Sequence, residues 1–145
     1  IGLYGVSSEP RFKENLLPVS SLKSHISQIH HLKPGDTVGY GRLEKVTSNM
    51  TMATIPVGYA DGLGREHGNR VGKMMVNEMS APIIGNVCMD MCMIDITGIP
   101  VEEGEEVIVF GAGYSLEEFA VNADKITYEV LTGISTRVKR VYYQE

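Results

Sequence analysis

The chain has 145 residues, with 13 lysines and arginines against 18 aspartates and glutamates, so its formal net charge is −5 at pH 7 and its length suits one domain with its own core. The acidic balance and the short basic runs give no sign of a nucleic-acid surface, the apolar stretches are too short to cross a bilayer, and the N-terminus has no signal-peptide pattern. Two cysteines favour a reducing, cytoplasmic location over a disulfide-stapled secreted domain.

The chain begins with Ile1 and not with methionine, so we expect it to be part of a longer protein. Turn signals then recur at short intervals, with short β-rich runs between them. These runs are 52–57, 74–76, 82–84, 91–96 and 106–110. Many short strands at this spacing predict an all-β dominated fold, a small β-barrel or Greek-key-like domain. Because no long polar linker interrupts the pattern, we expect residues 1–145 to form a single domain.

Helix signals are confined to the C-terminal third, where we expect one or two short helices. Ser115 and Glu118 form a capping-box pattern before apolar residues at helical spacing. Thr127 is a candidate cap for a second short helix that ends at Gly133. The segment 137–143 is interpreted as a last strand.

Tyr40 stands between Gly39 and Gly41, and this setting makes it a candidate functional residue. Glycine is used where the backbone bends sharply or comes close to another group. A packing tyrosine needs no such setting. The alternative is a turn tyrosine at the end of a strand, and the local pattern alone favours this simpler alternative.

Two further tyrosines have settings that suggest a site. Tyr59 lies in Gly-Tyr-Ala-Asp-Gly at 58–62, and with Tyr40 it predicts two phenols at the ends of two neighbouring strands. Tyr128 stands in the first turn of the second predicted helix, where free backbone N–H groups favour a phosphate. The alternatives are a strand end for Tyr59 and an aromatic packed on the barrel for Tyr128.

Cys88, Asp90 and Cys92 raise the question of a metal site. The spacing is C-x3-C without a second pair or a nearby histidine, whereas zinc needs four ligands at suitable spacing. We therefore predict no metal here and a packed strand, with these three side chains on one face and the neighbouring methionines on the other. The four histidines are scattered in polar surroundings and are interpreted as surface or turn residues.

Several motifs occur together and in order. They are Leu-Tyr-Gly at 3–5, Leu-Lys-Ser at 22–24, Val-Gly-Tyr-Gly at 38–41, Ile-Pro-Val-Gly-Tyr-Ala-Asp-Gly at 55–62, Gly-Asn-Val-Cys-Met-Asp at 85–90, Ile-Thr-Tyr-Glu-Val at 126–130 and Ser-Thr-Arg-Val-Lys-Arg at 135–140. This set covers essentially the whole chain and closely resembles the C-terminal domain of bacterial alanine racemase. Gly-Tyr-Ala-Asp-Gly followed by Cys-Met-Asp is its most specific part.

The resemblance implies an enzyme that interconverts L- and D-alanine for peptidoglycan synthesis. Its cofactor, pyridoxal 5'-phosphate, is bound mainly by an N-terminal (β/α)8 barrel that this chain lacks. The family is homodimeric, and each active site joins one subunit's barrel to the C-terminal domain of its partner. The barrel also supplies the second base and the cofactor-binding lysine, so the isolated chain is expected to be inactive.

The resemblance also implies roles for single residues. Tyr40 matches the catalytic tyrosine that removes or returns the α-proton on the L side. Met89 matches the residue whose backbone N–H holds the substrate carboxylate, with Asp90 beside it in a supporting role. Tyr59 matches a tyrosine at the entrance of the active site.

The remaining matches concern the cofactor and the substrate's path. Tyr128 matches a tyrosine that bonds the cofactor phosphate, and Ile1 matches a barrel position whose backbone also meets that phosphate. Asn86 departs from the arginine often found before Val-Cys-Met-Asp in other members. Because that arginine lines the path of the substrate, we expect the electrostatics of the path to differ here.

The chemistry is consistent with these roles. Racemisation removes a proton from one face of the α-carbon and returns one to the other, so two bases on opposite faces are an economical solution, with the cofactor as the electron sink. A free phenol titrates near pH ~10 and is a poor base at neutral pH unless a cation lowers that value. In the sequence, Arg42 is the only obvious cation near Tyr40. We therefore expect the barrel or the cofactor to supply the positive charge that a phenol base needs.

Two alternatives remain open. The first is a related racemase that acts on serine, with or without a membrane tether, because alanine and serine differ by a single hydroxyl that a pocket rejects only weakly. The other is a non-catalytic dimerisation module with the tyrosines as interface anchors. The sequence before Ile1 would discriminate between them, and the start at Ile1 is also compatible with fusion behind a cell-wall ligase.

Overall fold

The computed structural model describes residues 4–7, 11 and 16–143. Within these residues the strands are β1 Leu22–His25, β2 Gln28–Leu32, β3 Thr37–Val38, β4 Glu44–Lys45, β5 Met50–Ile55, β6 Lys73–Val76, β7 Met79–Ile84, β8 Cys92–Asp95 and β9 Glu106–Phe110. The α-helices are α1 Leu116–Asn122 and α2 Thr127–Gly133. Ile1, a predicted cofactor contact, lies outside the described residues.

Seven strands form one antiparallel sheet in the order β1-β9-β6-β7-β8-β5-β2. Its end strands, β1 and β2, are consecutive in the chain and are separated only by Ile26 and Ser27. The Ile26 N–H donates to the carbonyl of Glu105, next to β9, and the Ser27 N–H donates to that of Thr54 in β5, both at 2.9 Å. This bent segment bonds to both ends of the sheet and so curls it into a half-barrel. The predicted barrel-like, all-β dominated fold is confirmed.

The main core lies inside the curved sheet. The strand register places Ala53 opposite Ile94 and Ile94 opposite Ile83, and all three side chains are fully buried. Helix α1 covers this core with Leu116 and Phe119, which are also buried. Since side chains alternate across a strand, one face of each strand supplies the core.

A second apolar cluster lies on the opposite face of the sheet. It contains Met52, Ile84 and Met93, which are the chain neighbours of the main-core residues and therefore point the other way. Val38 and Val46 pack onto them and anchor the small β3–β4 hairpin. The second cluster therefore holds in place the turn that follows β3.

The two predicted helices are confirmed, with one change in capping. The Ser115 hydroxyl accepts a hydrogen bond from the Glu118 N–H at 3.1 Å, as the capping box requires. Helix α2 is capped by Ile126 and not by Thr127, and the Glu129 carboxylate accepts from the Ile126 N–H at 3.2 Å. No helix in the described part of the chain has the length and apolar character needed to cross a membrane.

The predicted last strand over 137–143 is wrong. Residues 135–138 form a turn in which the Val138 N–H donates to the Ser135 carbonyl at 3.1 Å, and no strand follows in the described residues. The guanidinium of Arg140 bonds to the carbonyls of Ile134, Ser135 and Val138, at 3.0 to 3.1 Å. These local bonds satisfy the backbone of the segment without a neighbouring strand.

Candidate functional site

Tyr40 begins a short 3-10 turn that directly follows Gly39. Gly39 has φ 75° and Gly41 has φ 78°, in the left-handed region that favours glycine. The Tyr40 side chain is 75% exposed, and its hydroxyl has no hydrogen-bond partner within the described residues. By contrast, the buried Tyr114 hydroxyl accepts from the Asn122 amide at 2.7 Å. Tyr40 is therefore presented as a free phenol, whereas Tyr114 is a bonded core tyrosine.

The glycine before Tyr40 also permits a close approach of two backbone segments. A Cβ at position 39 would lie 3.3 Å from the Asn86 nitrogen, and one at Gly85 would lie 3.1 Å from the Val38 oxygen. The Asn86 side chain donates to the Tyr40 carbonyl at 3.0 Å. The close approach expected from the glycines is thus made to another segment of this chain.

Residues 86–90, here called the bridging segment, connect the Tyr40 turn to the turn that carries Tyr59. At the Tyr59 end, the Tyr59 N–H donates to the Cys88 carbonyl and the Ala60 N–H donates to the Met89 carbonyl, both at 3.0 Å. A Cβ at Gly58 would overlap both carbonyl oxygens and lie 2.6 Å from the Met89 carbonyl carbon. Only glycine leaves room for this contact.

The predicted placement of the two phenols on neighbouring strands is wrong. Tyr40 follows β3, which pairs only with β4, while Tyr59 follows β5, which pairs with β2 and β8. Both turns contact the bridging segment, which follows β7 in the chain. It hydrogen-bonds to the Tyr40 carbonyl at one end and to the Tyr59 turn at the other. Tyr59 is 46% exposed, and its hydroxyl has no partner among the described residues.

Met89 lies in an exposed bend before β8, with its side chain 53% exposed. Its backbone N–H has no acceptor in the part of the chain that the structure describes. A free N–H held in a fixed bend is a ready donor for a carboxylate. This geometry is compatible with the role that the resemblance gives to Met89.

The predicted strand arrangement of Cys88, Asp90 and Cys92 is also wrong. The chain bends at 89–90, so the strand begins only at Cys92, whose side chain is buried. Burial raises the pKa of the Cys92 thiol, which makes it a packed small hydrophobe. Among the described residues, no group of three or more histidine, cysteine, aspartate or glutamate side chains is arranged to hold a metal ion.

Arg137 joins the Tyr59 turn to the Met89 bend. Its Nε donates to Asp61 Oδ1 at 2.6 Å, and its Nη2 donates to Asp90 Oδ1 at 2.5 Å. The other Asp61 oxygen accepts from the Gly58 N–H at 2.9 Å. Burial by itself would raise the pKa of Asp61, but the bonds from Arg137 and Gly58 and the Arg137 charge outweigh burial and hold that pKa below its ordinary value.

Tyr128 lies apart from this group. It is half-buried in the first turn of α2, and its ring packs edge-on against Tyr4 with centroids 5.8 Å apart. Its hydroxyl has no hydrogen-bond partner within the described residues. The bridging segment therefore links the turns of Tyr40 and Tyr59 to the bend at Met89 and Asp90, and no described contact joins Tyr128 to them.

Two residues have settings that the sequence patterns did not reveal. Arg137 lies in a motif of the resemblance, but no role was assigned to it. His67, predicted at the surface or in a turn, is only 1% exposed and stacks on Phe119 at 4.0 Å between ring centroids. Burial lowers the pKa of His67 to about 4. The neighbouring glycines at 64 and 68 suggested a turn, and the burial comes from helix α1 packing over it.

Replacing Asn86 with alanine is expected to loosen the Tyr40 turn. The variant loses the bond to the Tyr40 carbonyl, which is worth about 1 kcal/mol. Hydrogen exchange should become faster at the Arg42 N–H, which bonds the Gly39 carbonyl at 3.3 Å. Asn69→Gly is the control, because it removes the 3.1 Å partner of the Asn86 oxygen and glycine tolerates the φ of 54° at this position. Equal exchange at Arg42 in wild type and Asn86→Ala would contradict this role.

Comparisons with known proteins agree in their result. The family model described as "Alanine racemase, C-terminal domain" matches residues 19–142. Alanine racemase 1 of Clostridium acetobutylicum is 40% identical over 97% of this chain and 38% of its own length. Alanine racemase of Helicobacter acinonychis is 39% identical over 98% of this chain and 40% of its own length. The chain thus spans about two fifths of the curated relatives.

Solved structures show the same similarity. Alanine racemase from Bartonella henselae with covalently bound pyridoxal phosphate has a TM-score of 0.92 and 30% identity, covering 98% of this chain and 40% of that one. Alanine racemase from Clostridium difficile 630 has a TM-score of 0.90 and 38% identity, covering 97% of this chain and 38% of that one.

Proposed function

The chain belongs to the alanine racemase C-terminal domain family, and on this premise we propose that it is the C-terminal domain of a pyridoxal-phosphate-dependent alanine racemase. Residues 1–145 form this one domain, and an N-terminal barrel of the same enzyme completes it. The observation that carries the proposal is the bridging segment, which connects the Tyr40 turn to the Met89 N–H. The full enzyme interconverts L- and D-alanine in the cytoplasm, and the D-alanine serves peptidoglycan synthesis.

Each exposed group of the site has one task. The Met89 N–H donates to the carboxylate of alanine and so orients the α-carbon. The Tyr40 hydroxyl oxygen, which has no hydrogen-bond partner among the described residues, takes or returns the α-proton on the L side. Tyr59 narrows the entrance beside them, and Asp90 holds the bend that carries Met89. A second base acts on the opposite face and comes from the barrel.

This chain would supply only a few of the contacts to the cofactor. The Tyr128 hydroxyl, which has no partner in the part of the chain that the structure describes, is available to the phosphate. At the helix end beside it, the Ile126 N–H already donates to the Glu129 carboxylate. Three lysine amines are paired with glutamates: Lys23 with Glu106, Lys73 with Glu118 and Lys125 with Glu66. When bound, pyridoxal 5'-phosphate supplies the electron sink for the reaction. We assign its lysine and most of its contacts to the N-terminal barrel, with Ile1 as a further backbone contact.

The partner subunit is a second copy of the same enzyme. Tyr40, Tyr59 and Met89 are 75%, 46% and 53% exposed, although they are large and largely apolar. Their turns and bend are linked through the bridging segment, and exposed apolar side chains that lie close together mark an interaction surface. In the proposed homodimer this surface completes the active site on the partner's barrel.

The test is racemisation by the full-length protein that contains this chain. With added pyridoxal phosphate, we expect L-alanine to be converted to D-alanine faster than L-serine is converted to D-serine, measured by chiral chromatography. Faster conversion of serine would favour the serine racemase alternative. No conversion of either amino acid would favour the non-catalytic dimerisation module.

The isolated chain of residues 1–145 is expected not to racemise alanine, because the proposed second base and cofactor lysine belong to the barrel. The measurement is D-alanine formation by the purified chain with pyridoxal phosphate, with the full-length enzyme at equal molarity as the positive control. Racemisation above the rate with free cofactor alone would refute this prediction.

A further inference from the structure

We propose that Arg137 is a positioning residue of the racemase site, which fixes the Met89 peptide by tying the Met89 bend to the Tyr59 turn. Its role in catalysis rests on the proposed function, whereas its position is defined by contacts within this chain. Arg137 itself touches neither of the atoms assigned to proton transfer or carboxylate binding.

The first step is the shape of the contact. Arg137 donates from Nε to Asp61 and from Nη2 to Asp90, at 2.6 and 2.5 Å. Both donors belong to one planar group, so they fix the distance and the angle between two carboxylates from separate segments. A lysine in this place keeps a positive charge but lacks the rigid fork.

The second step is that the contacts form a closed ring around Met89. Asp90 follows Met89 in the chain and is held by Arg137. The Met89 carbonyl accepts from the Ala60 N–H at 3.0 Å, and Ala60 precedes Asp61, which Arg137 also holds. The ring fixes the peptide unit that follows Met89, while the Met89 N–H has no acceptor among the described residues.

The third step concerns the segment that carries Arg137. The Ser135 N–H donates to the Asp61 carbonyl at 3.0 Å. A Cβ at Gly62 would lie 2.8 Å from the Gly133 oxygen, so the end of α2 packs directly on the Tyr59 turn. The backbone that carries Arg137 is therefore packed against the Tyr59 turn, and this packing fixes where its side chain begins.

The fourth step separates positioning from stability. The side chains of Arg137 and Asp90 are 48% and 55% exposed, and an ion pair at such exposure adds little to folding stability, whereas the Asp61 side chain is only 12% exposed. Loss of the guanidinium should therefore cost stability at Asp61 but little at Asp90, and Asp90→Asn isolates the effect on the bend. A displacement of even about 1 Å at a site costs large factors in rate or affinity.

The test uses the full-length enzyme with Arg137→Gln and Arg137→Lys. Propionate, a carboxylate without an amine, reports on carboxylate binding as a competitive inhibitor. For Arg137→Gln we expect the inhibition constant of propionate and the KM for L-alanine each to rise about tenfold, with a smaller change in kcat. Arg137→Lys should lie between this variant and wild type.

Arg140→Gln is the matched control, because it removes the same chemical group three positions away. Arg140 bonds backbone carbonyls of the turn that carries Arg137 and bonds neither Asp61 nor Asp90, so its KM and inhibition constant should rise clearly less than those of Arg137→Gln. Asp90→Asn, introduced into wild type and into Arg137→Gln, gives a double-mutant cycle. If Arg137 acts through Asp90, the second substitution adds little to the first.

A readout without activity distinguishes this proposal from the proposed function. Hydrogen exchange at the Tyr59 and Ala60 N–H groups, which bond the bridging segment, should be faster in Arg137→Gln than in Arg140→Gln. A full-length protein that does not racemise alanine would refute the proposed function. Hydrogen exchange at Tyr59 and Ala60 would still test whether Arg137 holds the ring of contacts around Met89. Unchanged exchange together with unchanged propionate inhibition overturns the positioning role. If Arg137→Gln does not fold, the same two measurements on Arg137→Lys and Asp90→Asn decide it.

Discussion

Replacement of Tyr40 by phenylalanine is expected to lower racemisation in the full-length enzyme by a factor of about 10² to 10⁴ in both directions, the usual contribution of a general acid–base group. The variant removes one oxygen from a side chain that is 75% exposed and whose hydroxyl bonds to nothing within the described residues. Folding stability should therefore not change, and the loss reports on chemistry alone. The measurements are kcat from L- and from D-alanine and the visible absorbance of the bound cofactor.

Two tyrosine variants serve as controls for this prediction. Tyr142→Phe removes a hydroxyl from a side chain that is 86% exposed and outside the site, so its activity should equal wild type. Tyr114→Phe removes the 2.7 Å bond to Asn122 in the core and should cost about 1 kcal/mol of stability with activity retained. Wild-type turnover in Tyr40→Phe would remove Tyr40 from the proton-transfer role.

Gly58→Ala is expected to destabilise the domain by about 1 to 3 kcal/mol and to impair substrate binding, because a Cβ there overlaps the Cys88 and Met89 carbonyls. Neither side can move freely, since both are backbone atoms joined by the hydrogen bonds of the Tyr59 turn. The bend that carries the Met89 N–H should shift as a result. The free energy of unfolding in denaturant and the KM for alanine measure the two effects.

Gly133→Ala is the matched control for this substitution. A Cβ at Gly133 meets no atom within 4 Å, and its φ is outside the left-handed region. We expect this variant to unfold at or slightly above the wild-type denaturant concentration. If Gly58→Ala unfolds at the same concentration as Gly133→Ala, the tight contact between the Tyr59 turn and the bridging segment is not required.

Local sequence patterns were informative for the second half of the fold. The apolar runs at 74–76, 82–84 and 106–110 lie within β6, β7 and β9. Strands β1 and β2 were not recognised, because polar residues fill most of their positions. These strands are specified by pairing with β9 and β5, which are distant in sequence.

The sequence by itself determined the fold class, the capped helix at Ser115 and the unusual glycine setting of Tyr40 and Tyr59, because each depends on residues close together in the chain. Only the tertiary structure decided how these pieces meet. It placed 86–90 between the two tyrosine turns and brought Arg137 to Asp61 and Asp90. Such contacts depend on the path of the folded sheet, and no local spacing of residue types encodes them.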